Sequence, residues 1–148
     1  MNEKIHIQSP IIGWREWITL PDLNIQKIKA KIDTGARTSA LHAFWVEAYR
    51  KKHQQWVKFA IHPDQYNLDI VLECDAPVKD RRIVTDSGGH KQRRYVIETL
   101  FRLGPCAFIA ELTLTNRDTM QFRMLLGRTA INNHFLVNPR ASYLQGRL

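Results

Sequence analysis

The most constraining feature of the sequence is an alternating run that ends in an aspartate. Residues 28–32 alternate apolar and basic side chains, which is the period-two pattern of a half-buried strand. The strand delivers the carboxylate of Asp33 into a turn, where Thr34 supplies a hydroxyl and Gly35 permits a close backbone approach or a positive φ. An ordinary Asx turn would also explain this tripeptide, so the rest of the chain must decide what the aspartate does.

Short apolar or alternating segments, separated by turn residues, recur along the chain. The pattern predicts strands over residues 11–20, 25–32, 41–49, 55–61, 68–74, 82–85, 95–103, 108–115, 122–126, 135–137 and 142–144. Residues 127–133 are the candidate for one short helix near the C-terminus. The length of 148 residues favours a single domain, 1–148. The spacing predicts an all-β fold, either a sandwich or a barrel.

The charge and composition limit the class of partner. The formal net charge of +8 favours an acidic partner, which would be nucleic acid, an anionic surface or an acidic peptide, although a solvated basic face is the alternative. No apolar run is long enough to span a bilayer, and residues 1–10 lack the apolar stretch of a secretory signal. We therefore expect a cytoplasmic protein without a membrane partner. Cys74 and Cys106 are expected to be reduced thiols.

An aspartate at the end of a strand, in a Thr-Gly loop, is also the arrangement of aspartic peptidases. Their chemistry requires two neighbouring carboxylates that share one proton, so that one acts as general base on water while the other polarises the scissile carbonyl. The only other acid in a similar turn is Asp86. The economical solution is a two-fold homodimer in which each subunit contributes Asp33, with Thr34 hydrogen-bonding across the interface. A chain that stays monomeric would lack the second carboxylate.

A second motif makes the resemblance specific. Asp33-Thr34-Gly35-Ala36 is followed much later by Leu125-Leu126-Gly127-Arg128, in the order found in retroviral-type aspartic peptidases, where the second motif packs beneath the catalytic loop. Further similarity covers residues 13–17, 29–43, 76–82, 122–128 and 135–139. Together these segments resemble a bacterial family of small retropepsin-like proteins, often labelled ATP-dependent zinc proteases, some of which occur beside ATP-grasp glutamate ligases.

The resemblance implies a fold, an activity and a set of site residues. The fold would be a retropepsin-like acid-protease barrel, usually dimeric, and the substrates would be acidic or glutamylated peptides. The turn over residues 86–93 lies where the substrate-covering flap hairpin would be, although an ordinary surface hairpin would explain it equally well. The implied catalytic residues are Asp33, Thr34 and Gly35. The implied substrate-binding residues are Ala36, Arg37, Ser87, Gly88, Gly89 and Arg128.

One position departs from the retropepsin pattern. Retropepsins commonly carry an acid directly after Asp-Thr-Gly-Ala, and that acid pairs with the arginine of the Gly-Arg motif. This chain has Arg37 there, so Arg128 lacks its usual partner and the site gains positive charge. We expect this charge to favour an acidic side chain in the substrate groove. The alternative is that Arg37 faces solvent or pairs with an acid elsewhere.

The residues give no support to zinc or ATP. The histidines are scattered and none pairs with another at ligand spacing, and no phosphate-binding Gly-x-x-x-x-Gly-Lys loop is present. No metal and no cofactor is therefore predicted. Three alternatives stay open: a metal-dependent peptidase, as the family label says; a basic β-barrel that binds nucleic acid or an acidic protein without catalysis; and a retropepsin fold used only for binding. A carboxylate in the loop would repel phosphate, so a peptide is expected rather than nucleic acid.

Overall fold

The computed structural model describes residues 9–86, 88–116 and 121–146. Within these ranges the chain forms twelve strands, one α-helix and one 3-10 turn. The strands are β1 (Ile11–Ile12), β2 (Arg15–Leu20), β3 (Ile25–Ile32), β4 (Ser39–His42), β5 (Trp45–Lys51), β6 (Gln54–Ile61), β7 (Leu72–Pro77), β8 (Asp80–Thr85), β9 (Lys91–Leu103), β10 (Cys106–Thr115), β11 (Met124–Leu126) and β12 (Leu136–Val137). The helix α1 is Arg128–Ile131, and the 3-10 turn is Pro21–Leu23.

Six of the described strands close into a barrel. Their order is β10-β4-β11-β3-β2-β9, and β9 returns to pair with β10. The short strand β11 is central to the site, because it lies between β3, to which it is parallel, and β4, to which it is antiparallel. The strand β8 extends the sheet from β9, while β5, β6 and β7 form a separate sheet. The predicted all-β barrel with a short helix near the C-terminus is confirmed.

Alternation of side chains places the core inside the barrel and the charges outside. Along β3, Ile28, Ala30 and Ile32 are buried, while the lysines between them point outward. The three-stranded sheet adds its own apolar face to the same core through Val57, Phe59 and Ile61 of β6. Since β3 is anchored by this buried face, the residues that follow it are held in a fixed position.

Two predicted strands are each divided in the structure. The predicted strand over residues 11–20 breaks after β1, because Gly13 packs directly against the backbone of Ala141, and the Trp14 amide donates to the Ala141 carbonyl (2.8 Å). The predicted strand over residues 41–49 breaks after β4, where the chain leaves the barrel for the three-stranded sheet. The predicted strand over residues 142–144 is absent, since Tyr143 adopts a left-handed φ of 54°.

A buried carboxylate fastens the C-terminal segment to the barrel. The side chain of Glu16 is fully buried and accepts three backbone N–H groups, from Gly13 (2.7 Å), Leu144 (2.9 Å) and Gln145 (3.1 Å). Buried charges persist in proteins when hydrogen bonds satisfy them in this way. Glu16 therefore joins the turn between β1 and β2 to a segment almost 130 residues later.

We expect Glu16→Ala to destabilise the fold by about 2 kcal/mol or more, because it leaves one buried and two part-buried backbone donors without an acceptor. Chemical denaturation followed by tryptophan fluorescence measures this loss. The control is Glu47→Ala, which removes an exposed carboxylate from β5 and should change the free energy of unfolding by less than about 0.5 kcal/mol. Equal stability of the two variants would contradict the role assigned to Glu16.

Candidate active site

Asp33 begins the loop that connects β3 to β4, and its backbone and side chain are both held. Its amide donates to the Leu126 carbonyl at the end of β11 (2.8 Å). Its Oδ1 accepts the amide of Gly35 (3.0 Å), and its carbonyl accepts the amide of Ala36 (3.2 Å). Asp33 as a residue is half-buried. The loop is thus an Asx turn that fixes the direction of the carboxylate.

The Gly127 motif lies directly beneath this loop. A Cβ on Gly127 would lie 2.7 Å from the carbonyl carbon of Thr38, so only hydrogen fits there. The Gly127 amide donates to the Ser39 hydroxyl (3.0 Å). The amides of Arg128 and Thr129 donate to the carbonyls of loop residues 36 and 37 (both 2.9 Å). The packing of the second motif beneath the loop, which the resemblance implied, is present.

Arg37 and Arg128 have different surroundings. The Nη1 group of Arg128 donates to the Thr34 carbonyl (3.1 Å), so it supports the loop from the side of the helix. Arg37 is exposed, and among the ion pairs of the described residues none includes Arg37 or Arg128. The positive charge of Arg37 is therefore presented to solvent and to whatever enters the site.

A hairpin lies opposite the loop. We call residues 80–96, formed by β8, its turn and the start of β9, the flap hairpin. In the turn, Oδ1 of Asp86 accepts the amides of Gly88 and His90 (both 2.9 Å), and Gly89 adopts a left-handed φ of 83°. A glycine is suited to this conformation because it has no Cβ. Ser87, predicted to bind substrate, lies outside the described residues.

A cleft of about 710 Å³ separates the Asp33 loop from the flap hairpin. It is lined by Lys31, Asp33, Gly35, Ala36, Arg37, Thr38, Ala40, Arg82, Ile83, Val84, Thr85, Asp86, Arg94, Thr113, Thr115 and Leu125. Of the predicted site residues, Asp33, Gly35, Ala36 and Arg37 are therefore brought together. Thr34 belongs to the loop and Arg128 donates to its carbonyl, but neither residue lines the cleft, and Gly88 and Gly89 of the hairpin turn are also outside this lining.

Comparisons with known proteins show the family and support the fold. Residues 11–148 match a family model described as RimB-like, the retropepsin-like aspartic endopeptidase RimB. The chain belongs to the RimB-like family. A solved structure of a Legionella pneumophila protein of unknown function matches the RimB-like chain with a TM-score of 0.75 and 26% identity, covering 92% of this chain and 98% of that one.

Curated relatives carry another name. Proteins of Shewanella pealeana and Desulfotalea psychrophila, each named probable alpha-L-glutamate ligase, are 46% and 41% identical to this chain over 136 and 133 residues. The matched region covers 92% and 90% of this chain but only 30% and 29% of those proteins. The RimB-like chain thus spans under a third of the length of these relatives.

A zinc site would require a cluster of ligand side chains. Nowhere in residues 9–86, 88–116 and 121–146 do three or more His, Cys, Asp or Glu side chains come together as metal ligands. The thiol of Cys74 is buried, and this burial raises its pKa to about 11, which disfavours the thiolate that a metal would need.

The described residues contain no helix long and apolar enough to cross a membrane.

Sequence reasoning missed several polar residues of the cleft. Arg94 is buried, with its Nε donating to the Gln92 side chain (2.9 Å), which also accepts the hydroxyl of Thr115 (3.0 Å). Thr113 is buried as well and donates to the Ser39 carbonyl (3.2 Å). The alternating polar residues of β10 were the sequence signal that could have placed Thr113 and Thr115 on the cleft side. Nothing in the basic run over residues 91–94 distinguished the inward-facing arginine.

An ion-pair cluster holds the root of the flap hairpin to the barrel. Arg82 of β8 forms two hydrogen bonds with the carboxylate of Glu111 on β10 (2.7 and 3.0 Å) and one with Asp80 (2.9 Å). Lys79 also approaches Glu111 (3.3 Å). Hydrogen bonding to Arg82, and secondarily to Lys79, lowers the pKa of Glu111.

This lowered pKa predicts a pH dependence of stability. Because the folded-state pKa of Glu111 lies below its ordinary value of 4.5, the stabilisation is fully present above about pH 4.5. It is lost as the pH falls through the folded-state pKa. We expect Glu111→Gln to cost about 1 kcal/mol at neutral pH and to flatten the acid limb of the stability profile. If the stability of Glu111→Gln fell as steeply with decreasing pH as that of the wild type, this prediction would be contradicted. The control is Glu73→Gln, which removes an exposed carboxylate from β7.

Proposed function

We propose that the chain is an aspartic endopeptidase of the retropepsin type, which hydrolyses peptide bonds with a dyad formed by Asp33 from two copies. The observation that carries this proposal is the cleft between the Asp33 loop and the flap hairpin. The family to which the chain belongs supports the same activity. The proposal also takes the chain to act as one domain, in the cytoplasm and without a cofactor.

The geometry supports a mechanism with few parts. The Gly35 amide holds Oδ1 of Asp33, and the loop rests on the Gly127 motif. In the dimer one carboxylate takes a proton from water, and the water oxygen attacks the carbonyl carbon while the partner carboxylic acid donates to the carbonyl oxygen. The C–N bond then breaks as the nitrogen receives a proton from the first carboxyl group, while the second carboxylate takes a proton from a hydroxyl of the intermediate and the carbonyl bond reforms. Among the described residues, the other carboxylate that lines the cleft is Asp86, whose Oδ1 holds the hairpin turn. This supports a second copy as the source of the partner carboxylate.

Charge supports an acidic substrate. Four cationic residues line the cleft, against two carboxylates, and one of the four, Arg82, is already paired with Glu111 and Asp80. The cations are Lys31, Arg37, Arg82 and Arg94. The relatives named glutamate ligase contain a region like this chain, and a peptidase paired with glutamate ligation would act on glutamylated chains. We therefore propose acidic or glutamylated peptides as substrates.

Cleavage of matched acidic and neutral peptides, with and without a chelator, tests the proposal. We expect faster cleavage of the acidic peptide and no effect of the chelator. Arg37→Asp should lower the acidic-to-neutral ratio of kcat/KM by roughly tenfold, because it reverses an exposed charge in the cleft. The control Arg50→Asp reverses an exposed charge on β5.

Three other results of this cleavage experiment would each contradict a part of the proposal. Unchanged relative rates in Arg37→Asp would contradict the role of Arg37. Activity abolished by the chelator would replace the aspartic mechanism with a metal-dependent one. Binding of acidic peptides without any cleavage would leave a retropepsin fold that serves only for binding.

A further inference from the structure

A row of lysines follows the outer face of β3. Lys27, Lys29 and Lys31 alternate with buried residues, so all three point away from the core. On the neighbouring strand, Arg15 pairs in register with Lys31, and Trp17 pairs with Lys29. We call Arg15, Lys27, Lys29 and Lys31 the basic strip. Among the described residues none of its members forms an ion pair.

Aromatic rings hold the cations of the strip in place. The guanidinium of Arg15 lies over the ring of Trp14 (4.6 Å) and over that of Tyr143 (4.9 Å). Tyr143 in turn stacks on Trp17, with ring centroids 5.8 Å apart. Cation–π contacts of this kind orient a charge without neutralising it. The positive charge of Arg15 is thus fixed and still available.

Lys27 and Lys29 also form cation–π contacts. The Nζ atoms of Lys27 and Lys29 lie 5.0 and 5.4 Å from the Trp17 ring centre, and Lys29 also lies 5.1 Å from the ring of Tyr66. One carboxylate, Asp64, lines the groove here, and its Oδ1 already accepts the Tyr66 amide (2.9 Å). The strip therefore presents an excess of positive charge.

The basic strip continues into the cleft. Lys31 lines the cleft beside Asp33, while Lys29 lines two adjoining grooves of about 440 and 700 Å³. Alternate residues of a strand are about 6.6 to 6.8 Å apart, which is also the spacing of alternate side chains in an extended peptide. Carboxylates at every second position of such a peptide would match the lysine row.

We propose that the basic strip binds the part of an acidic substrate that extends beyond the cleft. The occupant is an extended run of acidic residues lying along β3. The proposal rests on the proposed function, because it takes the occupant of the cleft to be an acidic peptide. It adds a site that the Asp33 loop and the flap hairpin do not contain.

A peptide fits this surface better than single-stranded nucleic acid. Nucleic acid strands bind through free aromatic faces on which bases stack. The rings of Trp14, Trp17, Tyr66 and Tyr143 are all in contact with another ring or with a cation, although Tyr66 remains 80% exposed. An acidic peptide needs only the charges, which the strip presents at the required spacing.

Binding of labelled oligoglutamate by fluorescence anisotropy tests the proposal. We would use the full chain carrying Asp33→Asn, with a peptide of about four residues, which spans roughly 13 Å when extended, and one of about twelve residues. The double variant Lys27→Gln/Lys29→Gln should weaken binding of the long peptide by roughly tenfold and leave the short peptide within about twofold. The expected loss should shrink as salt is raised.

The three-stranded sheet offers a matched control. Lys51 and Lys58 also lie over aromatic rings, those of Trp56 (4.2 Å) and Tyr49 (5.0 Å). Lys51→Gln/Lys58→Gln removes the same charge and should leave both peptides unaffected. Equal weakening by the two double variants would show a general charge effect and overturn the proposal, as would equal weakening of the short and long peptides.

Two further arms separate the alternatives. Tighter binding of a single-stranded oligouridine than of the long peptide, lost in Lys27→Gln/Lys29→Gln, would make the strip a nucleic-acid site and overturn the proposal. Cleavage is assayed separately with the wild-type chain. Binding that depends on the strip, without cleavage, would support the role of the basic strip and contradict the proposed function. Cleavage with no effect of the lysine variants on binding or KM would support the proposed function and overturn the role of the strip.

Discussion

Replacing Asp33 with asparagine is expected to lower peptide hydrolysis by about 10³-fold or more. The amide cannot take a proton from water, so the general base is lost, and such a loss alone costs roughly 10²- to 10⁴-fold. Asparagine keeps the shape of the side chain and can still accept the Gly35 amide, which now holds Oδ1 at 3.0 Å. We therefore expect the loop to keep its conformation while the rate falls.

The assay requires evidence that the variant is folded. Circular dichroism and the thermal midpoint should match those of the wild type within a few degrees. Asp22→Asn replaces an exposed aspartate of the 3-10 turn, so it removes one carboxylate of the same type and should retain full activity. A folded Asp33→Asn chain with wild-type kcat/KM would rule out an aspartic mechanism.

Gly127→Ala is expected to have the second large effect, on stability and activity together. The backbone of Gly127 is extended, with φ of −98°, so alanine is compatible with the conformation itself. The obstacle is steric, since a Cβ would lie 2.7 and 2.8 Å from the carbonyl carbon and oxygen of Thr38. Those are backbone atoms, so the Asp33 loop has to move. Overpacking of this kind costs about 1–3 kcal/mol.

We expect the thermal midpoint of Gly127→Ala to fall by about 3 °C or more, and kcat to fall further than the loss of stability explains. Small displacements of a catalytic group reduce rates strongly because the reacting atoms must be aligned. Thr129→Ala is the matched control, since Thr129 is exposed and contributes its backbone amide to the loop. A stable Gly127→Ala chain with normal kcat would contradict the supporting role of this motif.

Local patterns predicted the parts of the fold that depend on local chemistry. The strand Ile25–Ile32 has the predicted bounds, because its alternation of apolar and basic residues matches the two faces of a barrel strand. The packing of Gly127 under the loop followed from a resemblance between two motifs, and a close backbone contact explains why glycine is needed.

The features of the fold and the cleft that local patterns did not predict depend on contacts between residues far apart in the sequence. The break after Ile12 is set by Ala141, and the burial of Glu16 by the amides of Leu144 and Gln145, none of which a local pattern contains. Likewise Lys31 and Arg94 lie in different parts of the sequence, and their convergence on one cleft follows from the closed barrel.

The most direct test of the central claim is a subunit-mixing assay. A fixed amount of wild-type chain is mixed with increasing Asp33→Asn chain, and peptide cleavage is measured after exchange. If two copies each supply Asp33, mixed dimers are inactive, so one equivalent of the variant should lower activity to about half and a large excess should abolish it. Activity that stays constant at every ratio would show that one copy suffices, and would contradict a dyad formed by Asp33 from two copies.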